Sequence, residues 1–266
     1  MTTKTLPISN PINLLARIGH GSLRVRAVDG LTEASVTLTA RSGPPEILDR
    51  TTVELRGATL QISTPRQGGI FDLFGGRSRD ALDIEVTVPS GTPLKISSFT
   101  ADVTVTGRSG SADIAAGAAD IVADHVDGDL RLRYGGGNSS VERVTGSVTI
   151  KSGSGLAHLG EVGGAVSSAC GSGRLEIDTA RGAVRFRSGS GAATLGAIYG
   201  DVDLASGSGN LRIGGPAGTS ARLDLTSGSG QIDPQLPVSQ TPARGARAIT
   251  IRARTGSGDV RLFRAA

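Results

Sequence analysis

Tryptophan is absent from this chain, and methionine and cysteine occur once each. Five phenylalanines and two tyrosines are the only aromatic residues among 266. A compact two-layer core normally draws on large aromatic side chains. Here a core must be assembled from many similar layers of Val, Leu, Ile and Ala. The lone Cys170 excludes an internal disulfide framework and suits a reducing compartment. No stretch approaches the roughly 18 consecutive apolar residues of a membrane-spanning helix. The first residues, Met1 to Ile18, include Lys4 but no apolar run ahead of a small-residue cleavage site, so no signal peptide is expected. The expectation is a cytoplasmic, soluble chain. Neither charge sign dominates either: 28 basic residues face 24 acidic ones, for a net charge of +4. That balance does not by itself specify nucleic acid or anionic lipid as a partner.

What the chain has in excess is glycine, 40 residues of it, and much of it is periodic. Gly110, Gly128, Gly146, Gly164, Gly182 and Gly200 are spaced eighteen apart. Each opens a similar phrase, such as G-S-V-T-I-K-S-G-S-G-L-A-H-L from Gly146 and G-A-V-R-F-R-S-G-S-G-A-A-T-L from Gly182. A fixed period of this length marks stacked units, none of which can bury its apolar face alone. Counted from each glycine, apolar residues fall at positions 2 and 4, again at 11 and 13, and often at 16. From Gly146 they are Val148, Ile150, Ala157, Leu159 and Val162; from Gly182, Val184, Phe186, Ala193, Leu195 and Ile198. Spacing of two is strand alternation, so each unit predicts two short strands facing one core. The S-G-S-G between them is read as a corner where glycine supplies positive φ.

The predicted fold is all-β: a parallel β-solenoid of about 18 residues per coil, preceded by an atypical β-rich N-terminal cap. Residues 1–90 are the cap and irregular first coils, with some antiparallel pairing expected, and 91–266 the regular coils of one continuous elongated domain. Roughly nine coils at a strand layer's spacing give a rod on the order of 40 Å long. Two final coils carry corners at Ser227–Gly230 and Thr255–Gly258, displaced by short insertions.

The period suggests two ligand-binding solenoids, and the residues exclude both. A calcium-binding β-roll needs Asp at position 11, where this chain has Ala157, Leu175, Ala193 and Leu211. A hexapeptide acyltransferase helix needs apolar residues at positions 2, 8 and 14, and position 8 here is Ser or Gly almost throughout. The S-G-S-G corners run into strands and lack the helix N-terminus and lysine of a phosphate loop. His20, His125 and His158 have no metal-ligand spacing, and Cys170 stands in a column of corner serines with no histidine companion. No catalytic residue, metal or cofactor is expected.

One outward feature stands out. Lys95, Arg131, Arg133, Lys151, Arg185, Arg187, Arg252 and Arg254 fall at positions 3 and 5 of the first strand and form a candidate interaction stripe. Asp113, Asp203 and Asp224 interrupt it and no aromatics are interleaved, which argues against a polyanion. Phe71, Leu73 and Phe74, in the glycine-rich loop Pro65–Asp80, are a second candidate, as a core cap or contact patch.

The phrases L-D-I-E-V-T-V-P-S-G-T (82–92) and A-D-V-T-V-T-G (101–107), with the repeated S-G-S-G, resemble the bacterial putative-adhesin family of β-strand-repeat proteins. The likeness runs from about Gly21 onward. That family is a domain of unknown function, and the resemblance implies a β-solenoid with no known catalytic residues. The expected role is a non-enzymatic scaffold or protein-interaction module with a protein partner. The alternative is a self-assembling, bactofilin-like filament subunit that joins end to end through its terminal coils.

Overall fold

Alternation of apolar and polar residues at a spacing of two puts one set of side chains on each side of a strand. In the computed structural model, which describes residues 1–8, 11–43, 46–65, 80–216, 220–235 and 248–265, the set predicted to face the core is buried. Val148, Ile150, Leu159, Val162, Val184, Phe186, Leu195 and Ile198 are all at most 1 % exposed. The chain forms two compact units, residues 1–128 and 129–266.

The first unit begins with β1 (Thr2–Pro7), β2 (Asn13–Ile18), β3 (His20–Val28) and β4 (Glu33–Ser42). A short helix α1 (Glu46–Arg50), which buries Ile47, leads to β5 (Thr52–Arg56) and β6 (Thr59–Ser63). β7 (Ala81–Pro89), β8 (Leu94–Ser98), β9 (Asp102–Ser109), β10 (Ala112–Ala118) and β11 (Ile121–Val126) complete it. These strands lie in two sheets, ordered β1-β4-β7-β3-β9-β11 and β5-β6-β2-β8-β10. Pairing is parallel except where β4 joins β1 and β7, and where β5 joins β6.

The second unit contains β12 (Leu130–Gly136), β13 (Ser139–Val144), β14 (Val148–Ser152), β15 (Leu156–Val162), β16 (Val166–Cys170) and β17 (Arg174–Ala180). β18 (Val184–Ser188), β19 (Ala193–Ile198), β20 (Val202–Ser206) and β21 (Leu211–Gly215) continue the period. Last come β22 (Ser220–Ser227), β23 (Ile232–Pro234), β24 (Ala248–Thr255) and β25 (Val260–Arg264). One sheet runs β13-β15-β17-β19-β21-β25-β23 and the other β12-β14-β16-β18-β20-β24-β22, parallel throughout. The eighteen-residue period is the register itself: Val148 pairs with Val166, Val166 with Val184, and Val184 with Val202.

Two features depart from a simple reading of the period. The first is coil order. β24 and β25 do not stack outside β22 and β23; they lie between that coil and the β20–β21 coil. In the first unit, β2 and β3 are likewise inserted, between β6–β7 and β8–β9. Near each chain terminus, then, a strand pair is tucked one layer in.

The second departure concerns the corner glycines. Of those in the S-G-S-G corners only Gly155 has positive φ, at 101°. The requirement is space: a Cβ on Gly171 would lie 2.8 Å from the Gly153 carbonyl oxygen, and one on Gly164 would lie 2.6 Å from the Gly146 backbone. Stacked coils are about one strand spacing apart, and where the corner backbone turns its Cα hydrogen along the stack no methyl fits. Corner chemistry is completed by the first serine. Ser206 accepts from the Gly209 amide at 2.9 Å and donates to the Gly191 carbonyl of the neighbouring coil at 2.8 Å. Ser227 and Thr255 repeat both bonds with their own neighbours.

Candidate interaction surface

Positions 3 and 5 point away from the core on the sheet that contains β12, β14, β16, β18, β20, β24 and β22. Parallel register aligns them into two columns. One reads Arg131, Thr149, Ser167, Arg185, Asp203, Arg252, Asp224; the other reads Arg133, Lys151, Ala169, Arg187, Ala205, Arg254, Thr226. Seven of the eight predicted cations therefore share this face. Lys95 lies on β8 of the other unit, beside Asp113 of β10.

The columns are an ion-pair ladder. Asp203 contacts Arg187 at 2.5 Å and Arg185 at 3.7 Å, while Asp224 contacts Arg254 at 2.9 Å and Arg252 at 3.9 Å. The Arg187 hydrogen bond is the main reason the Asp203 carboxyl stays below its usual pKa of 3.8. Partial burial opposes that effect, and the charges of Arg187, Arg185 and Arg252 reinforce it. A carboxylate held ionised in this way is the opposite of a general acid, which needs a raised pKa.

An open groove of about 520 Å³ runs along the same face. Its floor is short side chains, among them Ala165, Ser167 and Ala183, and Arg185, Asp203 and Arg252 rise beside it. The groove lies where Ser167 is short beside its long column neighbour Arg185. That contrast was readable in the aligned repeats, but a search for charged residues alone passes over it.

The other singled-out residues take structural places. Cys170 lies between Ser152 and Ser188 in register and contacts the Ser188 hydroxyl at 3.3 Å. It is a serine substitute in the corner column. In the same column Tyr134 pairs with Ser152; the Tyr134 hydroxyl meets that of Ser139 at 3.1 Å, and burial pushes the Tyr134 pKa upward. His158 faces Asp178 at 3.2 Å, and His20 Nδ1 meets the Thr100 hydroxyl at 2.5 Å. Among the described residues no three His, Cys, Asp or Glu side chains gather as a metal site would require, and no helix is long and apolar enough to cross a membrane. Phe71, Leu73 and Phe74 lie outside the described residues.

Short parallel strands, an eighteen-residue register and a laddered outer face define a repeat-built, solenoid-like β domain. The chain belongs to the Toastrack family, DUF4097, whose model matches residues 33–265. Among solved structures it is similar to a putative adhesin from Bacteroides fragilis, at 15% identity and a TM-score of 0.51, covering 98% of this chain and 96% of that one. A putative lipid binding protein from Parabacteroides distasonis gives 16% identity, a TM-score of 0.50 and coverage of 98% and 96%. A putative adhesin from Parabacteroides merdae gives 10%, 0.50, and 98% and 95%. At these identities the likeness is one of fold. No curated protein matches the chain. Nothing in these matches supports a bactofilin-type filament subunit.

Proposed function

We propose that this Toastrack domain is a non-enzymatic binding module, and that the outer face bearing the Arg–Asp ladder is its contact surface for a protein partner. The observation that carries the reading is the ladder with its groove: Arg185, Asp203 and Arg252 in line beside a floor of Ala165, Ser167 and Ala183. A regular sheet face costs little to order on binding because its side chains are already held by ion pairs. Both signs are presented, so the partner is expected to carry both. A uniformly anionic polymer would meet Asp203 and Asp224 directly, which argues for a protein.

A photo-reactive amino acid placed at Ser167 in the groove, or at Arg212 on the outer face of the other sheet, tests the assignment in the native host. The expected result is a discrete protein adduct from position 167 that is absent from position 212 and lost in the R185E/R252E variant. Equal labelling from both positions, or an adduct insensitive to the charge reversal, would overturn it.

A further inference from the structure

Among the described residues the coil made by β22 and β23 lies at one end of its unit, and its core-facing side chains are incompletely buried. In the next coil inward Ile251 is 1 % exposed and Val260 is fully buried. Their register partners in the outer coil are Leu223 and Ile232; Leu223 is only half-buried and Ile232 is 42 % exposed. Leu225 is half-buried as well. The two outer strands differ. β23 is three residues long and ends at Pro234, which cannot donate to a ladder. β22 is eight residues long, without proline, and has no strand on its outer edge among the described residues. Such an edge presents a row of backbone donors and acceptors to another strand.

The charges on that edge indicate what kind of strand it fits. Arg222 and Asp224 point outward on either side of the inward-facing Leu223. Arg222 has no carboxylate partner among the described residues. Asp224 meets Arg252 and Arg254 through Oδ2. Natural edges are commonly protected by like charges that repel a copy of themselves. Here the signs alternate, so the strand is complementary to its own reverse. Let two copies meet antiparallel with Leu223 opposite Leu223. Arg222 of each then faces Asp224 of the other, Ala221 faces Leu225, and both apolar faces fall on the same side. Opposite charges directly across an antiparallel pair are favourable, and like charges there are unfavourable.

We infer that β22 is a self-recognition edge through which two copies of this chain pair as an isologous, twofold dimer. The arrangement closes on itself, as an isologous contact does, so it yields dimers and no open filament. Of the ladder residues it uses Asp224 alone; the groove beside Ser167 and Arg185 takes no part in the seam, so R222E tests it apart from the ladder-face reading.

Sedimentation velocity over a range of protein concentrations tests the inference. The wild-type chain is expected to dimerise. R222E and D224R should each weaken dimerisation roughly tenfold or more, since each places two like-charged pairs across the seam. An equimolar mixture of the two variants should dimerise again, because every pair across the mixed seam then joins opposite signs. The glutamate introduced in one variant faces the arginine introduced in the other, and the native Asp224 of the first faces the native Arg222 of the second. A register test avoids dependence on D224R folding. In a Cys170→Ser background, Leu223→Cys should give an intermolecular disulfide under mild oxidation, because directly opposed residues lie within disulfide reach. Leu225→Cys should not. A wild-type chain that stays monomeric at the highest concentration, failure of the mixture to pair, or equal cross-linking at 223 and 225 would overturn the proposal.

Discussion

At the residue scale, the corner serines show how a polar atom becomes indispensable in a stack. Ser206 is 7 % exposed, and its hydroxyl serves an amide in its own corner and a carbonyl in the next. Removing it strands both groups where water has little access. Ser206→Ala should therefore lower unfolding free energy by about 1–3 kcal/mol, measured by urea denaturation. A loss below the scatter between replicate curves would show that water replaces the hydroxyl at that corner. Cys170 occupies the equivalent place with longer contacts, 3.3 Å to Ser188 and 3.5 Å to the Gly173 carbonyl. The corner glycines teach a similar lesson. Their abundance was legible as a turn signal, but the reason for it was not. Conformational freedom and close approach of neighbouring backbones both select glycine, and only the stacked register separates the two.

At the scale of elements, one carboxylate joins three strands of the first unit. Asp83 on β7 accepts from the Ser22 hydroxyl of β3 at 2.6 Å and from Arg41 Nε of β4 at 3.0 Å. It thereby stitches antiparallel β4 onto parallel β3. Burial alone would raise its pKa, but the Ser22 and Arg41 hydrogen bonds and the charges of Arg41 and Arg24 outweigh it and hold it below 3.8. A carboxyl whose pKa is lowered by folding stabilises the native state above its unfolded value, and that contribution is lost as pH falls through the folded value. Asp83→Asn should cost about 1–2 kcal/mol near neutral pH, with the difference from wild type closing as the solution is acidified below pH 3.8. Thermal melts at a series of pH values read this directly. A gap that is constant with pH would mean the carboxylate's charge does not contribute. The period made the strands and their buried faces readable, from Leu94 to Leu262. It could not give coil order, because every coil offers its neighbour the same apolar pattern at the same register. β24 fits beside β20 as well as it fits beside β22. The ion-pair ladder was half legible for the same reason. Its columns follow from the period, but which aspartate sits between which arginines depends on the order of β20, β24 and β22.

At the scale of the whole molecule, stability in each unit comes from repeated layers, as it does in other repeat arrays. In such arrays an end unit can usually be shortened and a smaller array left behind. The tucked order changes that expectation for the C-terminal segment. Deleting residues 248–266 would remove the layer between β20–β21 and β22–β23 and separate both pairs from their partners. The truncated chain should lose cooperative unfolding in residues 129–247, seen as a broadened calorimetric transition and loss of amide protection in β20 through β23. A variant truncated after residue 216, which sheds the outer coil and the inserted one together, should retain more protection in β20 and β21 than the shorter deletion. If the two truncations behave alike, the inserted layer has no special role.

The inserted layer also bears on how the chain is made. A growing solenoid could in principle lay down its coils in the order the ribosome delivers them. Here β24 and β25 emerge after β22 and β23, yet belong one layer inside. The coil of β22 and β23 has no final seat until β24 and β25 arrive beneath it. A polypeptide released early is therefore not a slightly shorter product. It is one with a missing inner layer and bare strand edges.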